Sequence, residues 1–200
     1  MALAVLIPAA GAARRMKGRD KLLEKVASEP VLRRLACAAL GAGLGPVAVT
    51  LRQPDPARRA VLDGLALAVL EVPDAGEGMA ASLRAGAAWA TGQGVSGLFV
   101  CPADMPSIES ADFVALAALF HPDGSPLRAA SPDGRAGHPV LFPAALLDRL
   151  AQLHGDAGAR AVLAHFPPRL VRLADDRALI DLDTTEEWAA WRSRTRPDRR

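Results

Sequence analysis

Leu3-Ala4-Val5-Leu6-Ile7-Pro8-Ala9-Ala10-Gly11-Ala12-Ala13-Arg14-Arg15-Met16-Lys17-Gly18-Arg19-Asp20-Lys21 is the stretch from which the rest of the chain is read. Its first five residues are apolar without alternation, as in a strand buried on both faces of a parallel sheet. Small residues follow at once, so a ligand can come close to the main chain. The apolar start is not read as a signal peptide, because Arg14, Arg15 and Lys17 follow the run instead of preceding it. No Gly-Lys-Ser/Thr closes the loop, and Gly11 and Gly18 do not make a Gly-x-Gly-x-x-Gly. What remains is a backbone cradle (Ala9, Ala10, Gly11) with Arg15 and Lys21 beside it, suited to a highly charged triphosphate.

Outward from this loop, short apolar runs alternate with helical spacing. Strands are predicted at 3–7, 47–51, 65–72, 98–101, 128–131, 140–142, 170–173 and 179–182. Helices are predicted at 30–40, 57–65, 80–90, 110–120, 143–150 and 159–165. The first half therefore reads as a repeated β-α unit. The expected fold is α/β: a Rossmann-like, mostly parallel sheet with helices on both faces. A Pro-Asp-Gly turn at 132–134 predicts a small hairpin insertion beside the sheet in the second half. Residues 1–191 read as a single domain and 192–200 as an Arg-rich tail.

Composition narrows the function. The chain has 200 residues, enough to bury roughly 70 % of the unfolded surface in one core. The net charge is +2, but the tail from Arg192 holds five arginines against one aspartate. Removing that +4 leaves about −2 on residues 1–191. With only eight aromatics and no basic patch on the body, no nucleic-acid partner is expected. No apolar run reaches membrane-spanning length, so no membrane is expected either. Cys37 and Cys101 lie far apart, and four scattered histidines give no zinc spacing. Free thiols suit a reducing cytosol, and the expected location is cytoplasmic. Only Lys17, Lys21 and Lys25 among the 24 basic residues are lysine, all within nine residues.

In open parallel sheets ligands bind outside the carboxyl ends of the strands, and three further loops there carry chemistry. Asp104 follows the strand at 98–101, where a carboxylate can hold Mg²⁺, which takes one or two protein carboxylates plus phosphates. Asp181 and Asp183 would share one face of a strand at 179–182. Asp183 or Thr184 can cap the following helix, with Glu186 and Glu187 at capping-box spacing. Asp183 or Thr184 is thus expected to be structural, and Asp181 to be the second metal contact. Gly78 and Ser82 open a helix whose free N–H groups suit a base or ribose.

Taken together these pieces resemble the nucleotidyltransferase family that includes the molybdenum cofactor cytidylyltransferases and guanylyltransferases. The resemblance rests on Ala9-Ala10-Gly11, Arg15-Met16, Gly18 and Lys21-Leu22-Leu23, then Gly78-Met79-Ala80-Ala81-Ser82-Leu83 and Ala103-Asp104-Met105-Pro106. It continues through Gly137-His138-Pro139-Val140-Leu141-Phe142, Gly155-Asp156-Ala157-Gly158-Ala159-Arg160 and Asp181-Leu182-Asp183-Thr184. It runs in order over residues 4–190. It departs at Ala13, where the family often has Ser, and at Thr185, where Pro is common.

The resemblance implies a nucleotide-diphospho-sugar transferase-like fold and transfer of CMP from CTP to the terminal phosphate of Mo-molybdopterin. The products are the cytosine dinucleotide and pyrophosphate. The Ala-Ala-Gly loop and Gly-His-Pro segment resemble the cytidylyl branch. GTP-dependent transfer, transfer to a sugar or polyol phosphate, and a non-catalytic molybdopterin carrier are the alternatives. The implied catalytic residues are Arg15, Lys21 and Asp104, and the implied Mg²⁺ contacts are Asp104 and Asp181. Ala9, Ala10, Gly11, Gly78, Ser82, His138 and Arg160 would bind nucleotide or pterin. A receiving molybdoenzyme or its chaperone is a further expected partner.

Overall fold

The computed structural model describes residues 2–11, 16, 19–155 and 158–195. Its centre is β1 (Leu3–Pro8), six residues all buried. Because strand side chains alternate, Leu3, Val5 and Ile7 enter one core layer while Ala4 and Leu6 enter the other. That two-sided burial is why the run is continuously apolar. The remaining strands are β2 (Lys25–Val26), β3 (Glu29–Pro30), β4 (Val47–Arg52), β5 (Ala68–Val72), β6 (Gly97–Val100), β7 (Leu127–Ala130), β8 (Ala136–Pro143) and β9 (Arg169–Arg172). Seven form one sheet in the order β5-β4-β1-β6-β8-β7-β9, and β2–β3 is a separate short hairpin. Within the large sheet β8 alone runs against the rest, pairing antiparallel with β6 and β7.

The helices are α1 (Val31–Gly41), α2 (Pro56–Ala60), α3 (Met79–Gly92), α4 (Ser110–Ala117), α5 (Leu147–Ala151), α6 (Arg160–His165) and α7 (Thr185–Thr195). α1, α4 and α7 supply Leu32, Phe113 and Trp188 to one core layer; α3, α5 and α6 supply Leu83, Leu150 and Val162 to the other. Helix α3 lies close on β1 because Gly86 has no side chain: a Cβ there would fall 2.1 Å from Leu6 Cδ2. The chain moves outward from β1 to β4 and β5, then α3 carries it back to β6 on the other side of β1. The loop after β1 therefore opens at the sheet's switch point, where α/β folds bind ligands.

Three sequence expectations are corrected here. Residues 179–182 form no strand: a short 3₁₀ turn covers Asp176–Leu179, and the next residues are irregular. Ala178 and Leu182 are buried as loop residues against the core, so their apolar character reflects packing without a ladder. The β7–β8 hairpin, turning through residues 132–134, is part of the main sheet, because β8 sits between β6 and β7. Arg192 continues α7: it lies 5.0 Å over the Trp188 ring and donates to Glu24 Oε2 at 2.7 Å. Residues 196–200 of the expected tail lie outside the described residues. No described helix is long and apolar enough to cross a membrane.

Candidate active site

Loop one is held from behind. Ala9 donates its amide to the Thr50 carbonyl at 3.0 Å and to Thr50 Oγ1 at 3.2 Å. Arg58, buried on α2, donates through Nη1 to the carbonyls of Ala9 (2.5 Å) and Gly11 (2.9 Å). Its Nε and Nη2 hold Asp20 Oδ2 and Oδ1 at 2.7 and 3.0 Å. Arg52 Nη2 takes the Ala10 carbonyl at 3.3 Å. The carbonyls of three successive residues are thus turned toward arginines. The amides of Ala10 and Gly11 have no acceptor among the described residues. Two such amides are donors that a bound anion could use. Arg15, with the rest of 12–15 and 17–18, lies outside the described residues.

At the loop's end Lys21 stands between two carboxylates. Its Nζ is 2.5 Å from Asp104 Oδ2 and 2.5 Å from Asp183 Oδ1. Burial alone would lower the Lys21 pKa, but the charges and hydrogen bonds of Asp104 and Asp183 outweigh it and raise it. The ammonium is therefore fixed. Asp104 Oδ1 is buried with no hydrogen-bond partner among the described residues. The Leu182 amide donates to the Asp104 carbonyl at 3.3 Å, which draws residues 181–183 against this loop.

The cap of α7 separates the neighbouring acids. Thr184 Oγ1 accepts from the Glu187 amide at 3.2 Å, and Glu187 Oε2 accepts from the amides of Asp183 and Thr184 at 2.8 and 2.9 Å. Thr184 is the cap, and the Asp183 carboxylate is left to face Lys21. Asp181 is exposed, and no ion pair joins its carboxylate to another described residue. Desolvation raises its pKa, as do the charges of Asp104, Asp183 and Glu187. It belongs to the same negative field without sharing the ammonium.

A divalent cation fits this place. A buried oxygen of Asp104 lacks a partner among the described residues, and the Asp183 carboxylate shares the Lys21 ammonium with it. Among the described residues no three acidic, histidine or cysteine side chains gather to hold a metal. Two carboxylates leave the rest of a Mg²⁺ shell to phosphates and water, as that ion prefers.

Gly78 ends the neighbouring loop with φ at 93°, a left-handed conformation that glycine adopts freely, and it opens α3 with no side-chain cap bond. Ser82 is not a cap; it is buried one turn inside the helix. Ala10 packs with Ala81 and Val72, so loop one lies directly against the first turn of α3.

Across Pro102 from Asp104 lies a cavity of about 620 Å³ between α3, β6, β8 and α6. Leu83, Val100, Val140 and Phe142 form its apolar wall, and His138, Arg128 and Arg160 are its polar groups among the described residues. Burial, then the charge of Arg128, pushes the His138 imidazole down to about 4 against partial opposition from the Val100 carbonyl and Asp104. Its Nδ1 is buried without a hydrogen-bond partner among the described residues. The ring is neutral at pH 7. Between about pH 6.5 and 4 the unfolded chain binds a proton that the folded chain refuses, so this contribution is complete above pH 6.5 and falls toward pH 4. Urea unfolding at pH 7 and pH 4.5 is expected to show about 2–3 kcal/mol more acid destabilisation in the wild type than in His138→Gln. Equal losses in the two proteins would refute the buried neutral ring.

Cys101 is fully buried and burial raises its thiol pKa well above normal, which fits a packing residue and not a nucleophile. Asp183, Arg58 and Arg128 were not singled out from the sequence as site residues; Asp183 alone had a signal, its two-residue spacing from Asp181.

A profile of the family described as MobA-like NTP transferase domain matches residues 5–177. No curated protein sequence matches the chain. Among solved structures, Rv0371c from Mycobacterium tuberculosis H37Rv is similar at 26% identity and a TM-score of 0.81, over 94% of this chain and 96% of that one. The same protein in complex with manganese gives 25% identity and a TM-score of 0.77, over 95% and 97%. A nucleotidyl transferase from Methanothermobacter shares 22% identity at a TM-score of 0.79, over 96% and 97%. CMP:2-keto-3-deoxy-manno-octonic acid synthetase complexed with CTP shares the fold at 15% identity and a TM-score of 0.73, over 96% and 98%.

Proposed function

We propose that this chain, which belongs to the MobA-like NTP transferase family, transfers CMP from CTP to the terminal phosphate of Mo-molybdopterin. The coarser statement, a nucleotidyltransferase, follows from the family. The finer one is supported by the resemblance of Ala9-Ala10-Gly11 and Gly137-His138-Pro139 to the cytidylyl branch. A synthetase of the same fold that takes CTP agrees with it. The observation that carries the reading is the Lys21–Asp104–Asp183 cluster beside the unpaired amides of loop one.

In the proposed reaction an oxygen of the acceptor's phosphate attacks the α-phosphorus of CTP in line. The bond from that phosphorus to the bridging oxygen breaks, and pyrophosphate leaves with the electron pair. No covalent nucleophile on the protein is needed; positioning and charge stabilisation suffice. The amides of Ala10 and Gly11 receive phosphate oxygens, and Arg15 and Lys21 offset the charge of the departing pyrophosphate. Gly78 and Ser82, at the start of α3, border the nucleoside. We assign Mg²⁺ to Asp104 and Asp183, with Asp181 adding field strength nearby; manganese in Rv0371c agrees with a divalent ion in this family. When bound, the ion supplies Lewis-acid charge to phosphate oxygens.

The test is a panel of ATP, CTP, GTP and UTP with Mg²⁺, with and without the molybdenum pterin, reading pyrophosphate. Release is expected with CTP and only when the pterin is present. GTP use with the same pterin would move the enzyme to the guanylyl branch. Release with a sugar or polyol phosphate and none with the pterin would overturn the acceptor, and no release at all would favour a carrier.

A further inference from the structure

We propose that Arg128 and Arg160 form an anion subsite that receives the phosphate monoester of the acceptor, separate from the triphosphate cradle of loop one. The proposal rests on the nucleotidyl-transfer reading and adds to it a residue, Arg128, and a division of labour between two phosphate sites.

Both arginines line the cavity beyond Pro102, and neither Lys21 nor a described residue of loop one does. Arg128 reaches it from β7, with its Nε donating to the Gly137 carbonyl at 2.8 Å. That bond leaves both terminal nitrogens of a planar fork, the group best matched to a phosphate. Arg160 comes from the opposite wall, on α6. Neither guanidinium has a carboxylate partner among the described residues. Arg58, Arg84, Arg135 and Arg177, by contrast, each pair with an acid. Burial, and then the charge of Arg160, pushes the Arg128 guanidinium down. Two guanidiniums turned toward one partly apolar cavity repel each other, and an arriving anion relieves both.

The third polar group, His138, is neutral there and offers a hydrogen bond without adding a charge. The apolar wall formed by Leu83, Val140 and Phe142 would cover the body of the ligand. Pro102 and Met79, which line the cavity, stand in the chain two residues before Asp104 and next to Gly78. An anion held by the two arginines would stand across Pro102 from Asp104. Arg128 is a substrate-binding residue in this account.

The probe is phenyl phosphate, with phenol as its uncharged control, titrated calorimetrically into wild type, Arg128→Gln, Arg160→Gln and the double variant. CTP binding and thermal unfolding are followed in parallel. The expected result is a loss of phenyl phosphate affinity of about 10–100-fold per substitution, from hydrogen bonds to a charged group, with CTP affinity within about two-fold of wild type. Arg128→Lys is expected to recover part of the loss. Phenyl phosphate binding that survives in a folded double variant overturns the subsite, as does wild type that binds phenol equally well or neither probe. Parallel loss of CTP affinity would also overturn it, because the arginines would then serve the triphosphate. The outcome is independent of the nucleotide reading: a chain that binds phenyl phosphate through both arginines but ignores every nucleoside triphosphate keeps the subsite and loses that reading.

Discussion

Asp104→Asn is expected to fold normally and to lose about 10²–10³-fold in pyrophosphate release at saturating CTP and Mg²⁺, by analogy with removal of one preorganised charge-stabilising contact. The side chain keeps its size and still offers one oxygen, so the loop after β6 need not move. What disappears is the negative charge whose Oδ2 meets Lys21 at 2.5 Å and whose buried Oδ1 has no partner among the described residues. Asp183→Asn should behave similarly, since its carboxylate meets the same ammonium at 2.5 Å. Asp181→Asn should cost far less, because that side chain acts only through the field. Circular dichroism and urea unfolding establish that each variant is folded before turnover is compared. Near-wild-type turnover by Asp104→Asn would sink the metal assignment, and a large loss in Asp181→Asn with none in Asp183→Asn would restore the pairing of Asp104 with Asp181.

That choice between two aspartates marks where sequence reading stopped. β1, its loop, and the helices on both faces were legible because buried parallel strands and amphipathic helices write their burial into the order of apolar residues. Asp183 was not, because Asp183 and Thr184 both precede an acid at capping distance. Only the hydroxyl of Thr184 on the Glu187 amide releases Asp183 for Lys21. The apolar run at 179–182 had the right composition for a strand, yet Leu182 is buried as part of a loop, its amide on the Asp104 carbonyl instead of on a neighbouring strand. The arginines failed for a different reason. With 21 of them against three lysines, one more arginine carries no signal. Lys21 stood out against that background, while Arg58 and Arg128 vanished into it.

Arg58 is the more consequential of the two for stability. Its side chain is 4% exposed and ties together two carbonyls of loop one and both oxygens of Asp20. Arg58→Ala deletes one partner from a buried network, taking the donor from two carbonyls and the ion pair from Asp20, whose carboxylate keeps the Leu22 amide. Such a deletion is expected to cost about 3–5 kcal/mol, a large share of a stability of about 5–15 kcal/mol. At about 2–4 °C per kcal/mol for a chain of this size, Tm should fall by roughly 6–20 °C. Arg58→Lys separates the clamp's two roles. A lysine keeps the charge near Asp20 but cannot hold Asp20 by two bonds and reach two carbonyls together. It should recover much of the stability while KM for CTP remains raised, because the Ala10 and Gly11 amides are no longer aimed. A role in stability alone predicts that KM recovers together with Tm. An Arg58→Ala protein that unfolds within about 1 kcal/mol of wild type would show that the loop does not depend on the clamp, since even one lost hydrogen bond to a charged group costs more than that.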